Sequence, residues 1–497
     1  MFTLLAGAAP AIVAPGLRVS RAELRAAALG LAARLHAQGF RRGDRLALWL
    51  PDGAGWLQCV FAAAHLGLLV VPISTRFTTA EARRVLGVAQ PRGLVVPDHF
   101  LKTDFAAAAQ DLAAENPGLQ VRVAPPHGLL EGAAGEAPAT GEAGDLLCTF
   151  STSGTTGVPK LAPHDQASIL RHARNVAAYF DMHGGAALGA LPLYGVLGFM
   201  QAMAALAAGG TLVSVPVYDP ALCARMIDAE GVTHFFGSDQ MFDAVLAVPG
   251  ASLASWRIGG YAEFVGWGAR VAAAAEARGI RLVGLYGSSE GFSLLAGRDW
   301  RAPLEQRVAN GGRPVSPDIG FRICNPETGE EQPRGQPGEL QLRGYNLLPH
   351  YLNNAAATAA AFTADGWFRS GDLCVDEGGS FLYLARLKDS LRLRGYLVDP
   401  GEIEAHLAAH PAVAQAQVVG VNHPGQGDVA VGFVILREAA AEAALLAHCR
   451  AGLAAYKQPR RVLAVAEFPA NNGPNGVKIL KNKLRDMAEA ALKETPA

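Results

Sequence analysis

Cysteine is sparse in this chain, and its placement excludes two classes of protein. The six cysteines, Cys59, Cys148, Cys223, Cys324, Cys374 and Cys449, stand far apart, with no C-x-x-C pair and no Cys/His cluster at zinc-binding spacing. A zinc module and a disulfide-stapled scaffold are thereby excluded, and buried thiols in a reducing cytoplasm are the expectation. Charge imbalance is absent as well: 43 Lys and Arg face 44 Asp and Glu, a formal net charge of -1, and the basic residues are scattered. No polyanion-attracting field follows, so nucleic acid is not an expected partner. No uncharged apolar run reaches the ~18 residues that a membrane-spanning helix needs. The opening run MFTLLAGAAPAIVAPG has no basic start and is broken by Pro10 and Pro15, which reads as a folded leader rather than a signal peptide. No internal repeat of fixed period is present.

What is present is enough apolar material for more than one core. The chain has 497 residues, half of them hydrophobic and 18% charged, a length at which two or more packed units are expected. SRAELRAAALGLAARLHAQ, from Ser20 to Gln38, has helical periodicity, with Ser20 as N-cap, Glu23 as its capping-box partner and Gly39 as stop. RLALWLP, LLVVPIS and GLVVP then alternate as strands with the helical runs WLQCVFAAAHLG and TTAEARRVLGVA. That interval predicts a helix-wrapped parallel sheet. Residues 124–143, rich in Ala, Gly, Pro and Glu, read as a connecting loop, and DLLCTF as the next strand. The alternation resumes through ALGALPL, FMQAMAALAAG, TLVSVPV, ALCARMIDAEG, THFFGS and RLVGLYG. Beyond Gly311 the texture changes to DIGFRICNP, GELQLRG and GSFLYLARL, a smaller β unit. GEIEAHLAAHPAVAQAQVVGV and VAVGFVIL follow, which predicts a small α+β domain of roughly a hundred residues. The expected organisation is α/β, with a large N-terminal domain over 1–386 and a small α+β C-terminal domain over 387–497.

The chemistry begins at STSGTTGVPK, Ser151 to Lys160, where five hydroxyls and two glycines precede one cation. Glycines let successive N–H groups converge on phosphate oxygens. The spacing G-x-x-G-x-x-K, Gly154 through Gly157 to Lys160, is not that of a P-loop NTPase. A second feature, YGSSEG, delivers Tyr286, Gly287, Ser288, Ser289 and Glu290 at a strand end, where open α/β sheets place ligands. Asp372 in GWFRSGDL is a carboxylate able to accept both hydroxyls of a ribose, and Arg386 in LARLKD and Lys478 in NGVKILKNKLR add cations. Each alone reads as a surface turn or a solvated helix face.

Together and in this order these motifs resemble the acyl-adenylate-forming (AMP-binding) superfamily, which contains acyl- and aryl-CoA ligases, firefly-type luciferases and peptide-synthetase adenylation domains. The resemblance runs from the RRGD turn to Lys478. It implies ATP-dependent activation of a carboxylic acid to acyl-AMP with release of pyrophosphate, then transfer to a thiol, with ATP, Mg²⁺ and coenzyme A as cofactors. By that resemblance Lys478 reaches the attacking carboxylate and the α-phosphate, Glu290 holds Mg²⁺, and Thr152, Ser153, Gly154, Thr155, Thr156 and Gly157 wrap the β- and γ-phosphates. Tyr286 stacks on adenine, with Gly260, Tyr261 and Ala262 along its other edge. Asp372 takes the ribose diol, and Arg386 sits near ribose and α-phosphate. Lys388 is the hinge, and Arg394 and Gly395 face the site in a second domain orientation.

The sequence departs from the family pattern at several points. Ala385 replaces a glycine, Ser289 a threonine, and the usual Gly-Lys pair is split as Gly476-Val477-Lys478, which leaves Lys481 as an alternative catalytic lysine. Gly195, in LPLYGVLGF, stands where histidine or a bulky aromatic is common, so the acyl gate is missing or is supplied by Tyr194. No acidic residue lies between Leu191 and Gly210, which argues against an amino-acid substrate. Tyr194, Gly195, Phe199, Phe236, Tyr261 and Leu285 are the expected pocket, suited to an aromatic or medium-chain acyl group. The expected acceptor is CoA, since no carrier-protein segment follows. Loading of a separate carrier protein is the alternative, and a catalytically silent nucleotide-binding homologue is a third. A phosphotransferase lacks its motifs here. The enzyme is expected in the cytoplasm, with no membrane span, and a homodimer is the assembly considered.

Overall fold

The computed structural model describes residues 1–125, 127–132, 135–152, 159–263, 267–393, 396–423, 427–473 and 476–493. By internal contacts the chain divides into two units, one of residues 1–320 and 342–368, the other of residues 321–341 and 369–497. The strands between 321 and 386 thus group with the C-terminal residues in this division, whereas the sequence assigns them to the larger part.

Two large sheets and one two-stranded ribbon, His99–Phe100 with Thr103–Asp104, lie in the first unit among the described residues. One large sheet runs, in spatial order, through Lys160–Asp165, Leu146–Thr152, Leu69–Pro72, Arg45–Leu48, Gly93–Pro97 and Gln120–Ala124. Its strands are parallel except for the hairpin of the first two, in which Lys160 pairs with Thr152. The other has a parallel centre, Arg281–Tyr286, Ile258–Ala262, Val232–Ser238, Ala186–Gly189, Thr211–Ser214 and Pro10–Ala14 in that order. Strands 69–72 and 93–97 are buried at every position, as continuous Val/Leu runs covered on both faces require. The expected alternation is therefore observed, and the leader is a short 3-10 helix and a strand of the second sheet.

Helix ends follow local chemistry. Ser20 and Glu23 form the predicted capping box, and Thr78 with Glu81 forms another. Asp219 caps the helix Pro220–Glu230, whose first residue is the proline that position tolerates, and Gly231 ends it with a left-handed φ of 61°. Residues 124–143 carry no helix or strand beyond Ala124 among the described residues, as expected of a connector.

In the second unit Phe368–Asp376 and Phe381–Arg386 form an antiparallel pair. A three-stranded sheet, Val413–His423, Gly427–Leu436 and Arg461–Ala464, packs with the helices Pro400–Ala408 and Glu442–Gly452 around Leu391, Ile403, Leu407, Val418 and Val434. The last helix, Lys481–Lys493, lays Leu484 and Ala488 on Val419, Val421, Val431 and Phe433. The Lys/Leu/Arg tail is thus amphipathic, with one face in a core. All six cysteines are free and buried. Burial pushes the Cys59 and Cys223 thiols up to about 12, so they stay protonated and inert. No helix of the described residues is long and apolar enough to cross a membrane.

Candidate active site

Two parallel strands of the first unit end side by side with the residues that the sequence singles out. Ile258–Ala262 and Arg281–Tyr286 pair Gly260 with Val283 and Tyr261 with Gly284, so Gly260 to Ala262 and Tyr286 lie at neighbouring C-terminal strand ends. A Cβ on Gly260 would lie 2.6 Å from Leu285 Cδ1 and 2.7 Å from Phe236 Cδ1, so glycine is needed for the two side chains to close over it. At Gly287 a Cβ would lie 2.7 Å from the Leu294 nitrogen, because the chain doubles back there.

Between Gly287 and Leu295 the backbone is neither helix nor strand, and three consecutive non-glycine residues, Phe292, Ser293 and Leu294, have φ of 63°, 52° and 42°. Such residues cost about 1–3 kcal/mol each unless their surroundings hold them. Here Leu348 N–H donates to the Glu290 carbonyl at 2.9 Å and Asn346 Nδ2 to the Gly291 carbonyl at 2.6 Å.

The Glu290 carboxylate is half-buried and accepts a hydrogen bond from the Tyr351 hydroxyl at 2.8 Å. Among the described residues it has no ion pair with a basic side chain. A lone carboxylate with spare acceptor capacity fits a hard divalent cation that draws its other ligands from phosphate and water. Lys160 Nζ lies 5.0 Å from the centre of the Tyr351 ring, a cation–π contact. One tyrosine thus touches both the cation that closes the phosphate hairpin and the candidate metal carboxylate. The sequence reading missed Tyr351, which carries no motif signal of its own. Thr152 and Lys160 form the two ends of that hairpin; Ser153, Gly154, Thr155, Thr156 and Gly157 lie outside the described residues.

The expected acyl pocket is partly corrected. Phe199 has no exposed surface and is wedged among Trp56, Phe150 and Phe292, and Phe236, equally covered, packs edge-on against Phe180. Tyr261 is 1% exposed and spends its hydroxyl on the Val308 carbonyl. These three are wall, not lining, because the helix and strands that carry them point them into packed cores. Leu285, 6% exposed, leans on Gly260. Tyr194 and Gly195 are half-buried on the loop that starts the helix Val196–Ala207. That loop is braced by Asp52, whose Oδ1 accepts from Leu193 N–H at 2.7 Å. Burial pushes the Asp52 carboxyl up to about 7, against the opposing pull of the Leu193 amide and Arg76. Burial also raises the Tyr194 phenol, and a hydrogen bond with the Ser74 side chain opposes it.

In the second unit Asp372, with a side chain 2% exposed, is held in the strand Phe368–Asp376 opposite Arg386, whose Nη1 is 3.1 Å from Asp372 Oδ1. Lys388 lies in the short 3-10 turn Leu387–Asp389, where Arg485 Nη2 donates to the Lys388 carbonyl at 3.2 Å and to Asp389 Oδ1 at 2.7 Å. Lys478 is on the strand Gly476–Ile479, its backbone opposite Asn471. Lys481 Nζ is committed to Glu404 at 2.9 Å, and Glu404 also accepts from Val418 N–H. That gives Lys481 a structural task and favours Lys478 for chemistry. Arg394 and Gly395 lie outside the described residues.

The sequence pattern of the family described as AMP-binding enzyme matches residues 6–352, and that of the AMP-binding enzyme C-terminal domain matches residues 402–473. The chain belongs to this family. The AMP-binding enzyme is 32% identical over 485 residues to a feruloyl-CoA synthase of Amycolatopsis sp, covering 95% of this chain and 94% of the relative. It is 31% identical over 511 residues to the 3-[(3aS,4S,7aS)-7a-methyl-1,5-dioxo-octahydro-1H-inden-4-yl]propanoyl:CoA ligase of Mycobacterium tuberculosis, covering 96% and 95%. Its fold superposes on ATP-bound MatB from Rhodopseudomonas palustris with a TM-score of 0.86 over 99% of both chains, at 26% identity. The α/β class, with a large N-terminal sheet domain and a smaller C-terminal domain, is thereby shared with adenylate-forming enzymes of known structure.

Tyr351→Phe keeps the ring under Lys160 but removes the bond to Glu290, and should weaken Mg·ATP binding, measured by calorimetry, about tenfold or more; unchanged affinity would deny Tyr351 that role. Asp52 stays protonated in the folded state up to about pH 7 but ionises near pH 4 when unfolded, so its contribution to stability falls as pH rises between those values. Asp52→Asn, which never ionises, should therefore gain in melting temperature over the parent as pH rises from about 4 to 7, with the largest difference at about pH 8.

Proposed function

We propose that this enzyme is an AMP-forming acid–CoA ligase that acts on an aromatic or medium-chain carboxylic acid. The observation that carries the reading is Glu290, a carboxylate without a basic partner among the described residues, presented at a parallel strand end and tied through Tyr351 to the cation of the phosphate hairpin. Relatives named as a feruloyl-CoA synthase and medium-chain acyl-CoA ligases support the acid class and the acceptor. An uncharged pocket agrees with them, since residues 192–209 contain no acid to meet an ammonium group.

In the first step a carboxylate oxygen of the acid attacks the α-phosphorus of ATP in line, the bond from that phosphorus to the bridging oxygen breaks, and pyrophosphate leaves. In the second the thiol sulfur attacks the acyl carbon, the mixed anhydride opens, and AMP departs with the electron pair. Two anions meet in the first step, so fixed cations contribute most of the rate enhancement. Lys478 bridges the incoming carboxylate and the α-phosphate in this reading. Arg386 supports the α-phosphate, Asp372 the ribose and Tyr286 the adenine, while the hairpin from Thr152 to Lys160 keeps the departing pyrophosphate. Bound Mg²⁺ would be held by Glu290 and would screen phosphate charge.

Because Lys478 belongs to the C-terminal part, the reading includes a mobile domain from residue 387, hinged at Lys388. A second orientation would bring Arg394 and Gly395 to the thiol. Arg485, bonded to the Lys388 carbonyl and to Asp389, supports that assignment, since it ties the candidate hinge to the helix that follows Lys478. The six buried free thiols agree with a cytoplasmic enzyme.

The test is pyrophosphate release over a panel of benzoates, cinnamates and fatty acids, with and without CoA. Release with an aromatic or medium-chain acid and formation of its CoA thioester is expected; no release with any acid would sink the ligase reading. Build-up of the acyl adenylate without a CoA thioester would make the acceptor a carrier protein. Lys478→Ala should abolish adenylation yet largely spare thioester formation from preformed acyl-AMP, and equal loss of both would reassign the lysine.

A further inference from the structure

The loop that presents Glu290 is held from outside by two buried imidazoles that the chemistry above does not use. His164, on the strand that leaves the phosphate hairpin, is 1% exposed and places Nε2 at 2.8 Å from the Ser289 carbonyl. Its ring stacks on Phe292 with centroids 4.1 Å apart and planes at 17°. His172, fully buried on the helix Gln166–Tyr179, places Nε2 at 2.8 Å from the Ser293 carbonyl. A carbonyl can only accept, so both rings carry their proton on Nε2. The His172 Nδ1 is then an acceptor for the Tyr345 hydroxyl at 3.1 Å, and that oxygen in turn accepts from Asn175 Nδ2 at 2.7 Å.

The carbonyls around Glu290 can be followed one by one. That of Ser288 takes the Ser293 amide at 2.8 Å, and those of Glu290 and Gly291 take Leu348 and Asn346. Those of Ser289, which precedes Glu290, and of Ser293, the middle of the left-handed residues Phe292–Leu294, take the two histidines. Buried carbonyls need a donor, and those of Ser289 and Ser293 find theirs outside the loop. A hydrophobic residue at 164 or 172 would fill the space and leave a carbonyl unmet.

We propose that His164 and His172 are positioning residues of the ATP site: as neutral hydrogen-bond donors they fix the Ser289 and Ser293 carbonyls and so aim the Glu290 carboxylate. Because both sit on the strand and helix that continue directly from Lys160, they couple the two ends of the triphosphate site, the phosphate hairpin and the carboxylate loop. The proposal rests on the reading that Glu290 serves ATP.

Paired substitutions separate the role from simple packing. His164→Phe and His172→Phe keep an aromatic ring and delete the donor, whereas His164→Gln and His172→Gln keep a donor near the Nε2 position and delete the ring. With the acid identified by the panel, the Phe variants should raise the KM for Mg·ATP about tenfold. They should leave the KM for the acid and thioester formation from preformed acyl-AMP within about twofold of the parent. The Gln variants should recover most of the Mg·ATP affinity even where their melting temperature is lower. The proposal is overturned if the Phe variants lower the melting temperature but bind Mg·ATP like the parent, if Gln does no better than Phe, or if both half-reactions fall alike. Should a substitution at 172 prevent folding, Tyr345→Phe, at a half-buried position, removes the hydroxyl that meets His172 Nδ1, and it too should weaken Mg·ATP binding; no change there overturns the His172 assignment. Mg·ATP and AMP affinities measured by calorimetry need no acid, so they decide this point even if the panel yields no pyrophosphate and the ligase reading fails.

Discussion

Irregular backbone inside a protein stands only if its carbonyls and amides find donors and acceptors that are not supplied by a helix or a sheet. The segment from Gly287 to Leu295 is such a backbone, and three left-handed residues add about 1–3 kcal/mol each to what must be offset. Each external hydrogen bond contributes on the order of 1 kcal/mol, and an unmet buried carbonyl costs about 1–3 kcal/mol. The donors come from His164 and His172 on one side and from Asn346 and Leu348 on the other, well over a hundred residues away and fifty-odd residues ahead respectively. The orientation of Glu290 is therefore a property of the assembled first unit, and the ATP-directed side of the candidate site depends on it.

The same economy of attachment recurs along the chain. The hairpin Leu146–Asp165 pairs Thr152 with Lys160 and continues into His164, so one element carries the candidate phosphate cation and a donor to the Ser289 carbonyl. Tyr351 receives Lys160 on its ring and offers its hydroxyl to Glu290. In the second unit Asp372 is fixed by pairing across to Arg386, and Arg485 secures the Lys388 turn. Lys481, which by spacing alone competes with Lys478, is taken up by Glu404. Charged residues near a site are thus divided between chemistry and architecture by what they can reach, which a motif does not state.

Much of this was legible in the order of residues. Alternating apolar runs and the Ser20–Glu23 capping box predicted strands and helices of the first unit, because periodicity and caps are local signals. The strand-end placement of Tyr286 and Glu290 followed from RLVGLYG running into a polar cluster. Less legible were Phe199, Phe236 and Tyr261: an aromatic in a motif looks alike whether it lines a cavity or backs it, and all three turned out to be covered. Tyr351, His164 and His172 carried no signal, since a hydroxyl or an imidazole becomes meaningful only when a distant carboxylate or carbonyl is brought against it.

By itself the sequence determined the family, the α/β architecture and the chemical types needed for adenylate formation, because those reside in short-range patterns and in the order of motifs. The tertiary structure alone decided which side chains hold the others in place: which lysine is consumed by a structural ion pair, which aromatics are wall, and which donors keep Glu290 aimed. Those are questions of contact between segments far apart in the chain, and a hydrogen bond of 2.8 Å between His172 and the Ser293 carbonyl, residues separated by more than a hundred positions, exists only once the chain has folded.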